Sequence, residues 1–135
     1  NAGGNVYAGG RKPDGSLWRV GVTDPRDPGD IIGVMAAEDM SVVSSGDYRR
    51  YFVADGIRYH HIIDPRTGYP ASICRGTTVF IPSSTDADAL STIMFILGPD
   101  DGQAVLEHFP GAGVIYVTQD GSIVTEGLVD GFEFK

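Results

Sequence analysis

The run Thr77-Thr78-Val79-Phe80-Ile81 and, four residues on, Asp86-Ala87-Asp88-Ala89-Leu90-Ser91-Thr92-Ile93-Met94-Phe95-Ile96-Leu97 with its stop Gly98-Pro99 decide the fold class. The first run reads as a strand. The second places Ala87, Leu90, Met94 and Leu97 on one helical stripe and Asp88 and Thr92, four apart, on another face. Gly98-Pro99 is a C-terminal stop signal, and a second short helix is expected over residues 100–108. Strand signals surround this pair. Residues 51–54 and 57–63 flank Asp55-Gly56, a strong hairpin signal. Residues 17–23, 31–37 and 40–44 read as short strands, with 17–23 a hairpin partner. Residues 113–118, 122–126 and 128–134 read as a closing meander around Asp120-Gly121. The expectation is an α+β fold in a single domain, residues 1–135: an antiparallel sheet with about two helices packed on one face.

The chain has 135 residues, enough for a core of its own, with 41% apolar residues and a net charge of -8. That charge excludes a basic nucleic-acid footprint, and no nucleic-acid partner is expected. It also repels anionic ligands unless a metal ion or local dipole offsets it. Cys74 stands alone, so no intrachain disulfide or CxxC site can form; it reads as a small buried apolar residue. The longest strictly apolar run, 93–97, is too short to span a bilayer. The chain begins at Asn1 with no visible signal segment, which reads as a processed product or a fragment.

Two constellations carry chemistry. On the helix, Asp88 and Thr92 stack a turn apart with Ser91 beside them, oxygen donors of the kind Mg²⁺ takes. The other reading makes Thr85 an N-cap and Asp88 the third residue of a capping box. The second constellation is His60-His61-Ile62-Ile63-Asp64-Pro65-Arg66-Thr67-Gly68-Tyr69-Pro70-Ala71. Strand alternation lets only one of the two histidines enter a given pocket. A histidine there can act as a general base with Asp64 orienting its ring; alternatively Asp64 caps the turn that follows. Gly3-Gly4, in a glycine-rich strand, marks a close backbone approach by a ligand or, on the other reading, a bulge. Ser44-Ser45-Gly46-Asp47-Tyr48 is a polar break that lines a pocket or simply turns.

At these residues the sequence resembles the ApbE family, the FAD:protein FMN transferases. The matching segments, 1–10, 44–48, 60–71 and 88–98, follow the family's order and span nearly the whole chain. The resemblance implies an ApbE-like, T-fold-like domain. It also implies a reaction in which Mg²⁺-bound FAD gives FMN to a threonine of a target flavoprotein and AMP leaves. By position, Asp88 and Thr92 correspond to Mg²⁺ ligands, with Ser91 a further candidate. His61 corresponds to the base, assisted by Asp64. His61, Ile62 (through its backbone), Gly3 and Gly4 correspond to FAD-contacting positions. The acceptor would be a flavoprotein of the redox-pump subunit type. The setting would be the bacterial cell envelope, with a lipid anchor outside this sequence. Family members are about twice as long, and the remainder would carry a Lys-Gly-Tyr-type segment, a further metal ligand and much of the FAD pocket. Other readings are a Mg²⁺-dependent FAD pyrophosphatase giving FMN and AMP, a flavin-binding module, and a folded remnant without ligand. An unpaired edge near Gly3-Gly4 would invite self-association.

Overall fold

A computed structural model describes all 135 residues. In chain order the elements are β1 (Asn5–Ala8), β2 (Trp18–Thr23), β3 (Ile31–Ala37), β4 (Met40–Gly46), β5 (Tyr51–Ala54), β6 (Ile57–His60), β7 (Ile63–Asp64) and β8 (Tyr69–Pro70). Then follow β9 (Cys74–Ile81), α1 (Ser84–Leu106), β10 (Gly113–Thr118), β11 (Ile123–Gly127) and β12 (Phe132–Phe134). Every strand pair is antiparallel. The main sheet has the order β1-β4-β9-β10-β11, and a second sheet has the order β12-β3-β2. Two small hairpins, β5-β6 and β7-β8, stand outside them.

Three layers result. Along β9, Val79 and Ile81 pack toward α1, while Phe80 packs toward the second sheet. On β10, Val114 and Tyr116 face the helix and Ile115 and Val117 face the second sheet. Both faces of the main sheet are therefore dry, which is why its central strands are apolar without alternation. The expected arrangement, helices on one face, gains a layer: the other face is covered by β12-β3-β2. The closing meander is corrected by the same feature. β10 and β11 pair as expected, but β12 leaves them and pairs with β3, Phe132 opposite Met35. β2, read as a hairpin partner, pairs with β3.

The helix breaks where its sequence says it should. Gly98 has φ 73° and ψ -178°, and Pro99 starts the second, shorter segment. Ile73 packs where a side chain at residue 98 would stand. The N-cap is Ser83, whose Oγ accepts from the Asp86 amide at 3.3 Å. Thr85 is thus inside the helix, and the capping box between Thr85 and Asp88 does not form. No helix is long and apolar enough to cross a membrane.

Cys74 is fully buried in the core between helix and sheet, and burial pushes its thiol up to about 12. Its folded-state pKa lies above the unfolded value of about 8.5. The contribution to stability is therefore complete below that value and declines as pH rises through it toward 12. The melting temperature should fall between pH 8 and 10 and lose part of that slope in Cys74→Ala. Alkylation of the native chain at pH 8 should follow global unfolding; rapid labelling without denaturant would contradict this burial.

Candidate functional site

Residues 44–50, the end of β4 and the loop after it, touch Ser91, Thr92, Gly3, Gly4 and His61 among the residues singled out in the sequence. The main-sheet face of α1 meets them first. Ser45 Oγ lies 2.8 Å from Ser91 Oγ and 3.4 Å from Thr92 Oγ1. Ser91 Oγ donates to the Asp88 carbonyl at 3.0 Å, so its single proton is spent and Ser45 must donate to it. Thr77 Oγ1 donates to the Ser91 carbonyl at 2.7 Å, fixing the helix on the sheet at this turn. Near the helix start, Ser84 Oγ donates to Asn5 Oδ1 at 2.8 Å.

Asp88 and Thr92 are exposed on one face a turn apart, as the spacing implied. The Asp88 carboxylate joins no salt bridge, and Thr92 is only distantly held by Ser45. Ser91 is different. It is 1% exposed, buried against the sheet with its hydroxyl committed on both sides, and does not belong to the exposed donor set. One carboxylate and two hydroxyls, those of Thr92 and Ser45, are hard oxygen donors and fit Mg²⁺ in kind. No three His, Cys, Asp or Glu side chains converge anywhere in the fold, so a cation here would draw its other ligands from water, phosphate or another segment.

The two histidines have opposite surroundings. His60 is buried edge-on against Phe95 of α1, with ring centroids 5.5 Å apart. Its Nδ1 accepts from the Ile62 amide at 3.3 Å, so Nε2 carries the proton and donates to the Ala71 carbonyl at 2.9 Å. Both nitrogens are spent on structure. His61 is exposed, and its Nδ1 lies 3.4 Å from the Arg50 carbonyl, a group that can only accept. That contact puts the proton on Nδ1 and leaves the Nε2 lone pair open to solvent. His60, not His61, borders the cleft of about 540 Å³ beside β6; His61 stands outside it.

Three further positions from the sequence have surroundings of their own. Asp64 touches neither imidazole. Its carboxylate accepts from Arg66 Nε and Nη2 at 2.9 and 2.8 Å and from the Arg66 amide at 2.9 Å, and these bonds hold it below the usual carboxylate range. Spacing i to i+2 lets one aspartate cap the turn and fork the guanidinium, so the turn reading holds. Ile62 is buried in the helix-side core; its amide serves His60 and its carbonyl accepts from Ala71 at 3.0 Å. Its backbone is committed within the chain. Gly3 and Gly4, with φ 67° and 103°, are the two corner residues of a tight turn closed by Ala2 and Asn5. The close approach there is made by Arg49, which donates to the Gly3 carbonyl at 2.7 Å and occupies the space a Gly4 side chain would need.

Ser45 belongs to the polar break singled out in the sequence, which lines the site; the site residues missed in the sequence are Arg49 and Arg50. One loop thus connects the Thr92 hydroxyl, the Gly3-Gly4 turn and the His61 ring, with Ser44 donating its amide to the Gly4 carbonyl. The signal was Ser44-Ser45, a polar pair in a strand opposite a hydroxyl-bearing helix face.

Residues 1–116 match the model of the ApbE family. The chain belongs to the ApbE family. A relative from Treponema pallidum, named FAD:protein FMN transferase, is 42% identical in an alignment of 139 positions that covers 95% of this chain and 38% of the relative. One from Haemophilus influenzae with the same name is 38% identical, over 92% of this chain and 37% of the relative. Among solved structures, the ApbE protein of Thermotoga maritima superposes with a TM-score of 0.82 at 44% identity, covering 92% of this chain and 40% of that one. The apo flavinyl transferase ApbE of Pseudomonas stutzeri gives 0.70 at 38% identity, over 93% of this chain and 39% of that one. The chain therefore spans about two fifths of the relatives it matches, less than the half expected from the sequence. The ApbE fold, mixed α and β with antiparallel sheets, is shared.

Proposed function

We propose that this ApbE-family chain carries the base-bearing and metal-bearing part of an FAD:protein FMN transferase. In this reading the threonine oxygen of an acceptor flavoprotein bonds to the phosphorus of the FMN moiety of FAD. The bond from that phosphorus to the bridging oxygen breaks, and AMP leaves with the electron pair. The threonine proton passes to Nε2 of His61. Asp88, Thr92 and Ser45 would hold Mg²⁺, whose chemistry when bound is to neutralise pyrophosphate charge. Arg50 fixes the tautomer of His61 through its carbonyl. Buried His60 sets the backbone that carries its neighbour. On the same reading the protein works in the bacterial cell envelope on a redox-pump type of flavoprotein.

The observation that carries the reading is that the segment 44–50 touches both the exposed oxygen-donor face of α1 and an exposed imidazole with a defined open nitrogen. The names of the relatives agree with it. Catalysis of phosphoryl transfer needs little more than positioning, charge stabilisation and a proton acceptor.

The test is incubation with FAD, Mg²⁺ and a threonine-bearing acceptor flavoprotein, read as in-gel flavin fluorescence, with the Treponema pallidum relative as positive control. Covalent flavin supports transfer, free FMN plus AMP means pyrophosphatase, and unchanged FAD means binding alone. His61→Ala should cut transfer by roughly 10²–10⁴-fold. His60→Ala should lose much less transfer and instead cost about 1–3 kcal/mol of stability, because the Ile62 amide and the Ala71 carbonyl lose their partner. The reverse pattern would overturn the assignment.

A further inference from the structure

The backbone of β6 offers a place for an extended peptide. Asp55 and Gly56 have φ of 50° and 76°, the two positive values of a type I′ turn. In such a hairpin the residues flanking the turn exchange both backbone bonds, and bonded and non-bonded pairs alternate from there. With Ala54 opposite Ile57 and Phe52 opposite Tyr59, these are the bonded pairs. The amides and carbonyls of Arg58 and His60 therefore point away from β5. None of the four finds a backbone partner elsewhere in the fold. The cleft of about 540 Å³ lies along this free edge: it is lined by every residue of β6, by none of β5, and across the gap by residues 69–72.

The walls favour a negative occupant. Asp47, 5% exposed, is taken by Arg58 at 3.2 Å. Arg75 donates only through Nε, to the Gln119 carbonyl at 3.0 Å, and its two terminal nitrogens bond nothing. The cleft thus holds one spare guanidinium in a chain whose net charge is -8. A guanidinium placed this way is suited to a carboxylate. Exposed Ile57 and Tyr69 form an apolar rim. His61 follows directly on β6, one residue past the edge that lines the cleft.

We propose that the cleft along β6 binds an extended acidic segment of the acceptor flavoprotein as an added strand, one carboxylate on Arg75, bringing the target threonine toward His61. This rests on the transferase reading. The mode is strand addition: backbone bonds to Arg58 and His60 supply affinity, and the guanidinium and apolar rim supply selection.

The test uses the 135-residue chain, isotope-labelled for amide exchange, and a fluorescent ten-residue peptide of alternating valine and threonine with two aspartates. Two variants of the peptide are compared: one with lysines for the aspartates, one N-methylated along its bonding edge. The acidic peptide should bind about tenfold more tightly than the lysine form, and N-methylation should abolish binding. Exchange should slow at the amides of Arg58 and His60. Arg75→Gln should lower affinity about tenfold, with Arg75→Lys retaining more of it. Equal binding of acidic and lysine peptides, indifference to N-methylation, or no binding of any peptide overturns the proposal. So does protection of Arg58 and His60 that appears without peptide and deepens with protein concentration, which would mean a second copy. Binding as described without FMN transfer to any acceptor would sink the transferase reading alone. Transfer with an acceptor KM unchanged in Arg75→Gln would sink the slot alone.

Discussion

Replacing Asp88 with alanine should remove divalent-cation binding and leave the fold as stable as before. Its side chain joins no salt bridge, and it caps nothing because Ser83 holds the N-cap. An exposed helical position of this kind tolerates alanine within about 0.5 kcal/mol. The functional loss should be large because Asp88 is the one carboxylate of the exposed donor face, beside Thr92 and Ser45. A cation that contributes several kcal/mol to the transition state puts the loss of FMN transfer at roughly 100-fold or more. Mn²⁺ titration followed by electron paramagnetic resonance reads the site without turnover. The parent chain should bind weakly, as expected when one carboxylate and hydroxyls supply all the protein ligands, and Asp88→Ala should not bind. Unaltered Mn²⁺ binding by Asp88→Ala would place the cation elsewhere.

The sequence made Asp88 and Thr92 legible because i, i+4 spacing settles which residues share a helix face. It did not settle Ser91. A position one residue away from an exposed face lies either in or out, and here Ser45 and Thr77 of the sheet draw it inward. The β5-β6 hairpin was legible because Asp55-Gly56 dictates its own turn type. The partner of β12 was not, since pairing with β3, roughly a hundred residues earlier, leaves no local trace; chain proximity favours a meander. Covering of both sheet faces leaves its trace in the consecutive apolar residues at 79–81 and 114–117, which differ from the alternation of a half-exposed sheet. For Asp64, two local rules competed. Capping and ion pairing at i+2 are satisfied within the turn itself, so the nearer partner, Arg66, wins over a histidine. Residues 44–48 stood out as a polar break, but what they and Arg49 and Arg50 join was hidden, because Thr92 and Gly3 lie more than forty residues away in sequence.

Gly113→Ala should be the most damaging single methyl group in the protein. Gly113 opens β10, between Phe80 of β9 and Gly127 of β11. A Cβ built there would stand 1.9 Å from the Leu128 carbonyl oxygen and 2.5 Å from its carbon. That obstacle is backbone, not the tip of a flexible side chain. It is also tethered, because the Leu128 amide donates to the Ala112 carbonyl at 3.0 Å. Relief requires the crossing from β11 to β12 to move, and β12 is the strand that closes the second sheet on β3. Overpacking against a fixed backbone should cost about 3 kcal/mol or more, a large part of the roughly 5–15 kcal/mol a domain of this size has. The melting temperature should then drop by about 10 °C or more. Gly9→Ala is the matched control: its Cβ would meet the Tyr7 ring at an ordinary 3.4 Å, and no shift beyond about 0.5 kcal/mol is expected. Chemical denaturation of both variants decides the matter. Equal stability in the two would mean that the β11–β12 crossing does not press on Gly113, and the account of how the second sheet is held against the first would fail with it.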